Sequence, residues 1–269
     1  MKFATVRLPG GATAAARIEN GSAFLLDALD VGRMLQDESW RRARATGEVL
    51  DATALDYAPV IPAPGKIICV GLNYRSHIRE MGREFPDYPT LFAKYPEALV
   101  GPYDPVRLPP DAPKVDWEAE LALVMGKKVR WVDVDEAEEA IAGYTVINDV
   151  TMREHQYRTP QWLQGKTFEG TAPLGPVLVT PDELDPSAEL TCALNGEVVQ
   201  RARIDDLVFS PARLVSYISG ILTLRPGDII ATGTPGGVGH ASSPARYLTA
   251  GDVLTTGVAG IGSMENRVS

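Results

Sequence analysis

From Lys66 onward, the apolar positions fall into short runs rich in branched residues: KIICVGL, AELALVMG, YTVIND, GPVLVT, LTCALNG, DIIAT and DVLTTGV. Gly, Pro, Asn and Asp separate them, which is the punctuation of a β-rich domain. Residues 1 to about 60 form a smaller unit with the same grammar. MKFATVRL and ATAAARI read as strands joined at Pro9-Gly10-Gly11, and Asn20-Gly21 turns the chain into SAFLLDAL. GRMLQDESWRRARAT then becomes helical and strongly charged, and VIPAPG reads as a stiff linker. Helices are also predicted over DEAEEAIAGY, acidic at its start, and over SPARLVSYISGILTL. In the latter Ser210 caps, Pro211 suits the first turn, and Leu214, Tyr217, Ile218 and Ile221 share a face. The pattern predicts an α+β, β-rich chain, divided into a small N-terminal α/β domain over 1–62 and a main domain over 63–269.

One run carries more than fold. In VDWEAELALVMGK, period-two alternation puts Trp117, Ala119, Leu121, Leu123 and Met125 on one face of a strand. Glu118 and Glu120 then share the other face, whereas a helix would place them on nearly opposite sides. Asp149 follows the apolar run YTVIN, at a strand end where a third carboxylate could be displayed. Three converging carboxylates cannot all remain ionised without a cation, and with waters they suit octahedral Mg²⁺. Taken singly, the glutamates could equally be a solvated face and Asp149 a turn or helix cap.

Other residues suggest partners for such a site. If TMREHQ opens a helix, Asp149, Arg153 and Gln156 lie on one side of it, and Lys166 follows in QWLQGKTFEGTAPLGP. Cations beside a metal would suit a substrate carboxylate, although for either alone a surface salt bridge is the simpler reading. His77 and Glu80, three residues apart in GLNYRSHIREMG, would meet on a short helix. A carboxylate raises an imidazole's basicity, so the pair could activate water, or be an ordinary surface pair. ATGTPGGVG places Thr234 in a Gly-rich loop that lacks the spacing of phosphate or dinucleotide loops.

Composition narrows the class. The chain has 269 residues, 45% hydrophobic and 23% charged, with a net charge of −9. That balance argues against nucleic acid or an anionic membrane as partner. No apolar stretch approaches membrane-spanning length, and MKFATVRLPG lacks the apolar core of a secretory signal. Cys69 and Cys192 both lie inside apolar runs, which excludes a disulfide scaffold and makes a cytoplasmic location the default expectation. Three dispersed histidines are too few for an imidazole-built metal site, so the ligands of any metal should be oxygens.

Six segments in order, from about Lys66 to Val268, resemble the fumarylacetoacetate hydrolase superfamily. They are GLNYRSHIREMG, VDWEAELALVMGK, AGYTVINDVTMREHQ, WLQGKTFEGTAPLGP, LRPGDIIATGTPGGVG and YLTAGDVLTTGVAGIGSMEN. The resemblance implies a mixed β-sandwich roll, a homodimer, and Mg²⁺ or Mn²⁺ held by Glu118, Glu120 and Asp149. It implies a catalytic dyad, His77 and Glu80, on a lid, with Lys166 also catalytic, and substrate held by Arg153, Gln156, Lys166 and Thr234. One departure is Arg153-Glu154, where many members have Arg-Asp. The implied reaction is hydrolysis of a C–C bond in a 2,4-dioxo acid of the acylpyruvate kind, by way of an enolate at the metal. Decarboxylation of oxaloacetate or isomerisation of a 2-oxo acid is the alternative at the same site. Phe85, Tyr88, Tyr95 and Trp162 are expected to shape the pocket.

Overall fold

The structure, a computed structural model, describes every residue except Met81 and Arg83, and of Glu80 only the backbone. Its backbone is a long mixed sheet whose strands run, from one edge, Ala45–Asp51, Ser22–Leu26, Thr13–Glu19, Lys2–Arg7, Ala172–Val179, Ile141–Asn148, Ala119–Met125, Ile229–Ala231, Ile67–Gly71 and Thr90–Lys94. Most neighbours are antiparallel; Ile229–Ala231 and Ile67–Gly71 are parallel. A second sheet, of strands Glu189–Leu194, Glu197–Arg203, Val253–Val258 and Gly262–Arg267, packs on its centre. Together they make the β-rich mixed architecture that the apolar runs predict.

Local chemistry explains the turns. Asn20 and Gly21 both take positive φ (49° and 78°) between the paired residues Glu19 and Ser22. Asn195 and Gly196 do the same between Leu194 and Glu197, the two-residue hairpin that Asn-Gly favours. Lys2 and Phe3 pair with Val179 and Leu178, so the N-terminal meander continues the main sheet. VIPAPG is packed rather than loose: Val60 and Ile61 are buried, and the Val60 carbonyl accepts from the Thr5 hydroxyl at 2.8 Å.

The strand Ala119–Met125 is buried on both faces. Trp117, Ala119 and Leu121 join a core with Cys192, Leu254 and Met264 of the second sheet, while Ala122 and Val124 pack with Phe3, Leu35 and Trp40. Further along the first face, Leu123 and Met125 meet Ala137, Leu214 and Ile218 of the two helices Val134–Glu139 and Pro211–Ile221.

Three elements differ from the sequence pattern. The charged helix is confined to Val31–Met34 and a turn at Trp40–Arg42, because the Asp37 carboxylate accepts from the Ser39 amide in a local turn. Its tail, Ala45–Asp51, is instead an edge strand. The helix begun at Val134 has the Asp133–Glu136 capping box but ends at Glu139, since Ile141 opens a central strand. In Pro211–Ile221 the buried face is Ala212, Leu214, Val215, Ile218 and Ser219, leaving Tyr217 and Ile221 exposed.

Candidate active site

Ladder register brings the carboxylates together. Ala119 pairs with Asn148, so Glu118 and Asp149 sit at adjacent strand ends. The Asp149 amide donates to the Glu118 carbonyl at 2.8 Å, and the Glu118 amide donates to Asn148 Oδ1 at 3.0 Å. Glu120, two residues along the same face, completes a buried triad in which one oxygen of each carboxylate lies within 4.8 Å of the others. Glu120 Oε2 also accepts from the Gly233 amide at 2.8 Å. Gly233 holds that amide at φ +104°, where a Cβ would stand 3.0 Å from the Val70 carbonyl oxygen.

Two buried ammonium groups face the triad. Lys166 Nζ lies 2.6 Å from Glu118 Oε2 and 2.9 Å from Asp149 Oδ2, and Lys94 Nζ lies 2.9 Å from Asp149 Oδ1. Lys94 Nζ also donates to the Lys166 carbonyl. Burial alone would lower the Lys166 ammonium, but Asp149 and Glu118 outweigh it and hold it above its ordinary range. For Asp149, burial is likewise outweighed, by Lys166 and Lys94, and the carboxyl is pulled down. For Glu120 the balance is reversed: burial, then Asp149 and Glu118, outweigh Lys166 and the Gly233 amide and push its carboxyl well above the ordinary range. A hard divalent cation fits this set, because three converging carboxylate oxygens, with waters completing the shell, are ligands such an ion takes and its charge offsets their repulsion.

A cavity of about 410 Å³ opens on one side of the triad, lined by Glu118, Lys166, Arg153, Gln156, Thr234, His77 and Trp162 among others. The expected substrate-holding residues therefore line one cavity, although each already has protein partners. Arg153 donates to Asp116 Oδ2 from Nε (2.8 Å) and Nη2 (2.6 Å), and from Nη1 to Glu118 Oε1 (2.7 Å) and Gln156 Oε1 (3.0 Å). The Thr234 hydroxyl donates to the Ala119 carbonyl at 3.0 Å and accepts from Gln200 Nε2 at 2.8 Å. Lys166 is 2% exposed, so the surface salt bridge considered for it does not exist. His77 sits on the short helix Arg75–Glu80 and lines the cavity, while the Glu80 side chain lies outside the described residues. Of the four aromatics expected to shape the pocket, Trp162 lines it; Phe85, Tyr88 and Tyr95 are exposed.

Trp162 packs edge-on against Phe92, and a Cβ on Gly71 would stand 2.5 Å from its ring. Gly71→Ala should therefore push Trp162 off the cavity wall. We expect a shift in tryptophan emission and a rise in KM of about tenfold, equivalent to ~1.4 kcal/mol, with little change in kcat. An unchanged KM would show that Trp162 does not bound the substrate.

Sequence reasoning passed over Lys94, Asp116 and His240. Asp116 precedes Glu118 by two residues on the same alternating face, and receives the amides of Trp117 (2.9 Å), Gly239 (2.7 Å) and His240 (3.0 Å) besides Arg153. Lys94 likewise follows the cavity residue Phe92 by two in its strand, and is 1% exposed.

With this geometry in view, comparison with known proteins is decisive. Residues 66–269 match the family model described as fumarylacetoacetate (FAA) hydrolase C-terminal. The chain belongs to the fumarylacetoacetate hydrolase family. It is 42% identical over 233 residues to the mitochondrial oxaloacetate tautomerase FAHD2A of Bos taurus, covering 85% of this chain and 74% of that protein. Its fold is similar to that of a fumarylacetoacetate hydrolase from psychrophilic Exiguobacterium antarcticum, with TM-score 0.88 and 31% identity over 100% of this chain and 99% of that one. It is also similar to a 5-carboxymethyl-2-hydroxymuconate delta-isomerase from Mycobacterium smegmatis, with TM-score 0.84, 34% identity and the same coverage. The chain is thus an enzyme of this family. Among the described residues, no helix is long and apolar enough to cross a membrane.

Proposed function

We propose that this enzyme moves a proton at the α-carbon of a short 2-oxo dicarboxylic acid, interconverting the keto and enol forms of oxaloacetate, with Mg²⁺ or Mn²⁺ bound at Glu118, Glu120 and Asp149. The observation that carries the reading is Lys166: a buried ammonium at the cavity wall, kept protonated by two carboxylates of the triad. The divalent ion, when bound, supplies positive charge where an enolate develops. Lys166 donates a hydrogen bond to the enolate oxygen, adding to that stabilisation without proton loss. His77, across the same cavity, accepts and returns the proton at carbon. The Gln156 side-chain amide N–H and the remaining Nη2 N–H of Arg153 orient the substrate carboxylate. The bovine relative's name, oxaloacetate tautomerase, and the isomerase among the structural relatives favour this reaction.

Hydrolysis of a 2,4-dioxo acid is a second reading, favoured by His77 lining the cavity, where it could draw a proton from water. The enolate would then be the leaving group, and Lys166 would act on it in the same way. We place the enzyme in a homodimer, which light scattering would test.

The deciding assay follows enol oxaloacetate, carbon dioxide release and acetylpyruvate cleavage side by side, with Mg²⁺ or Mn²⁺ and with EDTA. Loss of the enol well above the protein-free, metal-containing background, without carbon dioxide, is the expected result. Acetate and pyruvate from acetylpyruvate, with no effect on the enol, would instead establish the hydrolase.

A further inference from the structure

Arg153 commits four of its five N–H donors to Asp116, Glu118 and Gln156 and has one left for the carboxylate at the reacting end, so it is a poor receptor for a second negative group on the substrate. A four-carbon 2-oxo dicarboxylate carries such a group at the end remote from its 2-oxo acid moiety. The geometry points to His240 as the residue that reads this distal carboxylate, and hence as a determinant of specificity for dicarboxylates; this rests on the 2-oxo acid reading above.

His240 follows the Gly-rich loop and lines the active-site cavity. Its ring is fixed from two directions. Nδ1 lies 2.8 Å from the Tyr247 hydroxyl, and the ring leans on Tyr157 with centroids 5.5 Å apart and planes 35° from parallel. Its backbone amide donates to Asp116 Oδ2 at 3.0 Å, and the same oxygen receives Arg153. The chain of contacts from triad to histidine is therefore Glu118, Arg153, Asp116, His240. This puts the His240 backbone one contact beyond the groups that hold the triad, and the residue lines the same cavity. Tyr157 and Tyr247 immobilise the ring at little further entropic cost on binding.

His240 can present a donor to the cavity. Nε2 has no partner among the described residues, whereas Nδ1 is engaged by Tyr247. If the Tyr247 hydroxyl donates to Nδ1, the ring proton resides on Nε2; if the ring is doubly protonated, Nδ1 donates to Tyr247 and Nε2 still carries a proton. Only the neutral Nδ1–H tautomer leaves Nε2 bare, and a carboxylate oxygen at Nε2 selects against it. A methyl group in the same place would leave that donor without an acceptor, which is how hydrogen-bonding sites discriminate between analogues.

The test compares oxaloacetate with 2-oxobutyrate, which carries a methyl group in place of the distal carboxylate. Deuterium exchange at C3 reads enolisation of both by the Mn²⁺-loaded enzyme. Calorimetry with malate and 2-hydroxybutyrate reads binding without turnover. His240→Leu should lower kcat/KM for oxaloacetate and the affinity for malate by roughly 10- to 100-fold, as for loss of a hydrogen bond to a charged group. Values for the monocarboxylates should change by less than about twofold, within measurement scatter for an interaction they do not make. His240→Gln, which restores an N–H donor, should recover part of the loss. Equal losses for both acids, or none for either, would overturn the assignment while leaving the enzyme's reading as a 2-oxo acid enzyme intact. If the wild-type enzyme binds neither malate nor 2-hydroxybutyrate and exchanges neither 2-oxo acid, that reading fails and the assignment falls with it.

Discussion

Glu118→Gln will bind Mn²⁺ far more weakly than the wild type and lose about 10²- to 10³-fold in turnover. Glu118 supplies one of three converging carboxylates and also anchors Lys166 at 2.6 Å and Arg153 at 2.7 Å. A metal ion contributes several kcal/mol to stabilising charge in a transition state, and each ~1.4 kcal/mol is a factor of ten in rate. The amide keeps the shape and one acceptor oxygen, so the sheet around it should hold. Electron paramagnetic resonance of added Mn²⁺, read beside the enol assay, checks both parts. A variant with wild-type Mn²⁺ affinity would remove Glu118 from the metal site.

Lys166→Met should be the most destabilising substitution at the site. The side chain is buried against Glu118 and Asp149, and methionine nearly matches its length without the charge. Breaking a buried pair by removing one partner costs about 3–5 kcal/mol, because the remaining charge stays uncompensated. For a chain of this size that lowers the melting midpoint by roughly 10 °C in metal-free buffer. Saturating Mn²⁺ should recover a larger increment in the variant than in the wild type, since the ion supplies charge that the lysine no longer does. Turnover should remain low, by about 10²-fold or more, because no protonated donor is left beside the enolate oxygen. A midpoint unchanged by the substitution would mean that Lys166 does not balance the triad.

The triad was legible because two independent regularities coincide in the sequence. Alternation put Glu118 and Glu120 on one face, and Asp149 closed an apolar strand. What alternation could not supply was the register, Ala119 opposite Asn148, that sets the two strand ends side by side. Asp116 and Lys94 obeyed the same alternation and were missed because each resembles a plain surface charge when its strand is read alone. Their burial depends on elements far away in sequence: Lys94 meets Asp149 and Lys166, while Asp116 meets Gly239 and His240. Arg153 was visible as a cation near Asp149, but its commitment to Asp116 was not. In the helix Pro211–Ile221, periodicity allowed several faces, and packing against Val134–Glu139 selected the one through Leu214, Val215 and Ile218. The short helix at Val31–Met34 shows the converse, a local Asp37–Ser39 turn overriding a favourable charged pattern.

The most direct test of the account is the dependence of oxaloacetate C3 exchange on Mn²⁺ in chelator-treated wild-type enzyme, corrected for exchange promoted by free ion. Exchange at background without metal, rising to a plateau at one ion per chain and abolished in Glu120→Gln, is the predicted result. Undiminished exchange by the metal-free enzyme would contradict it.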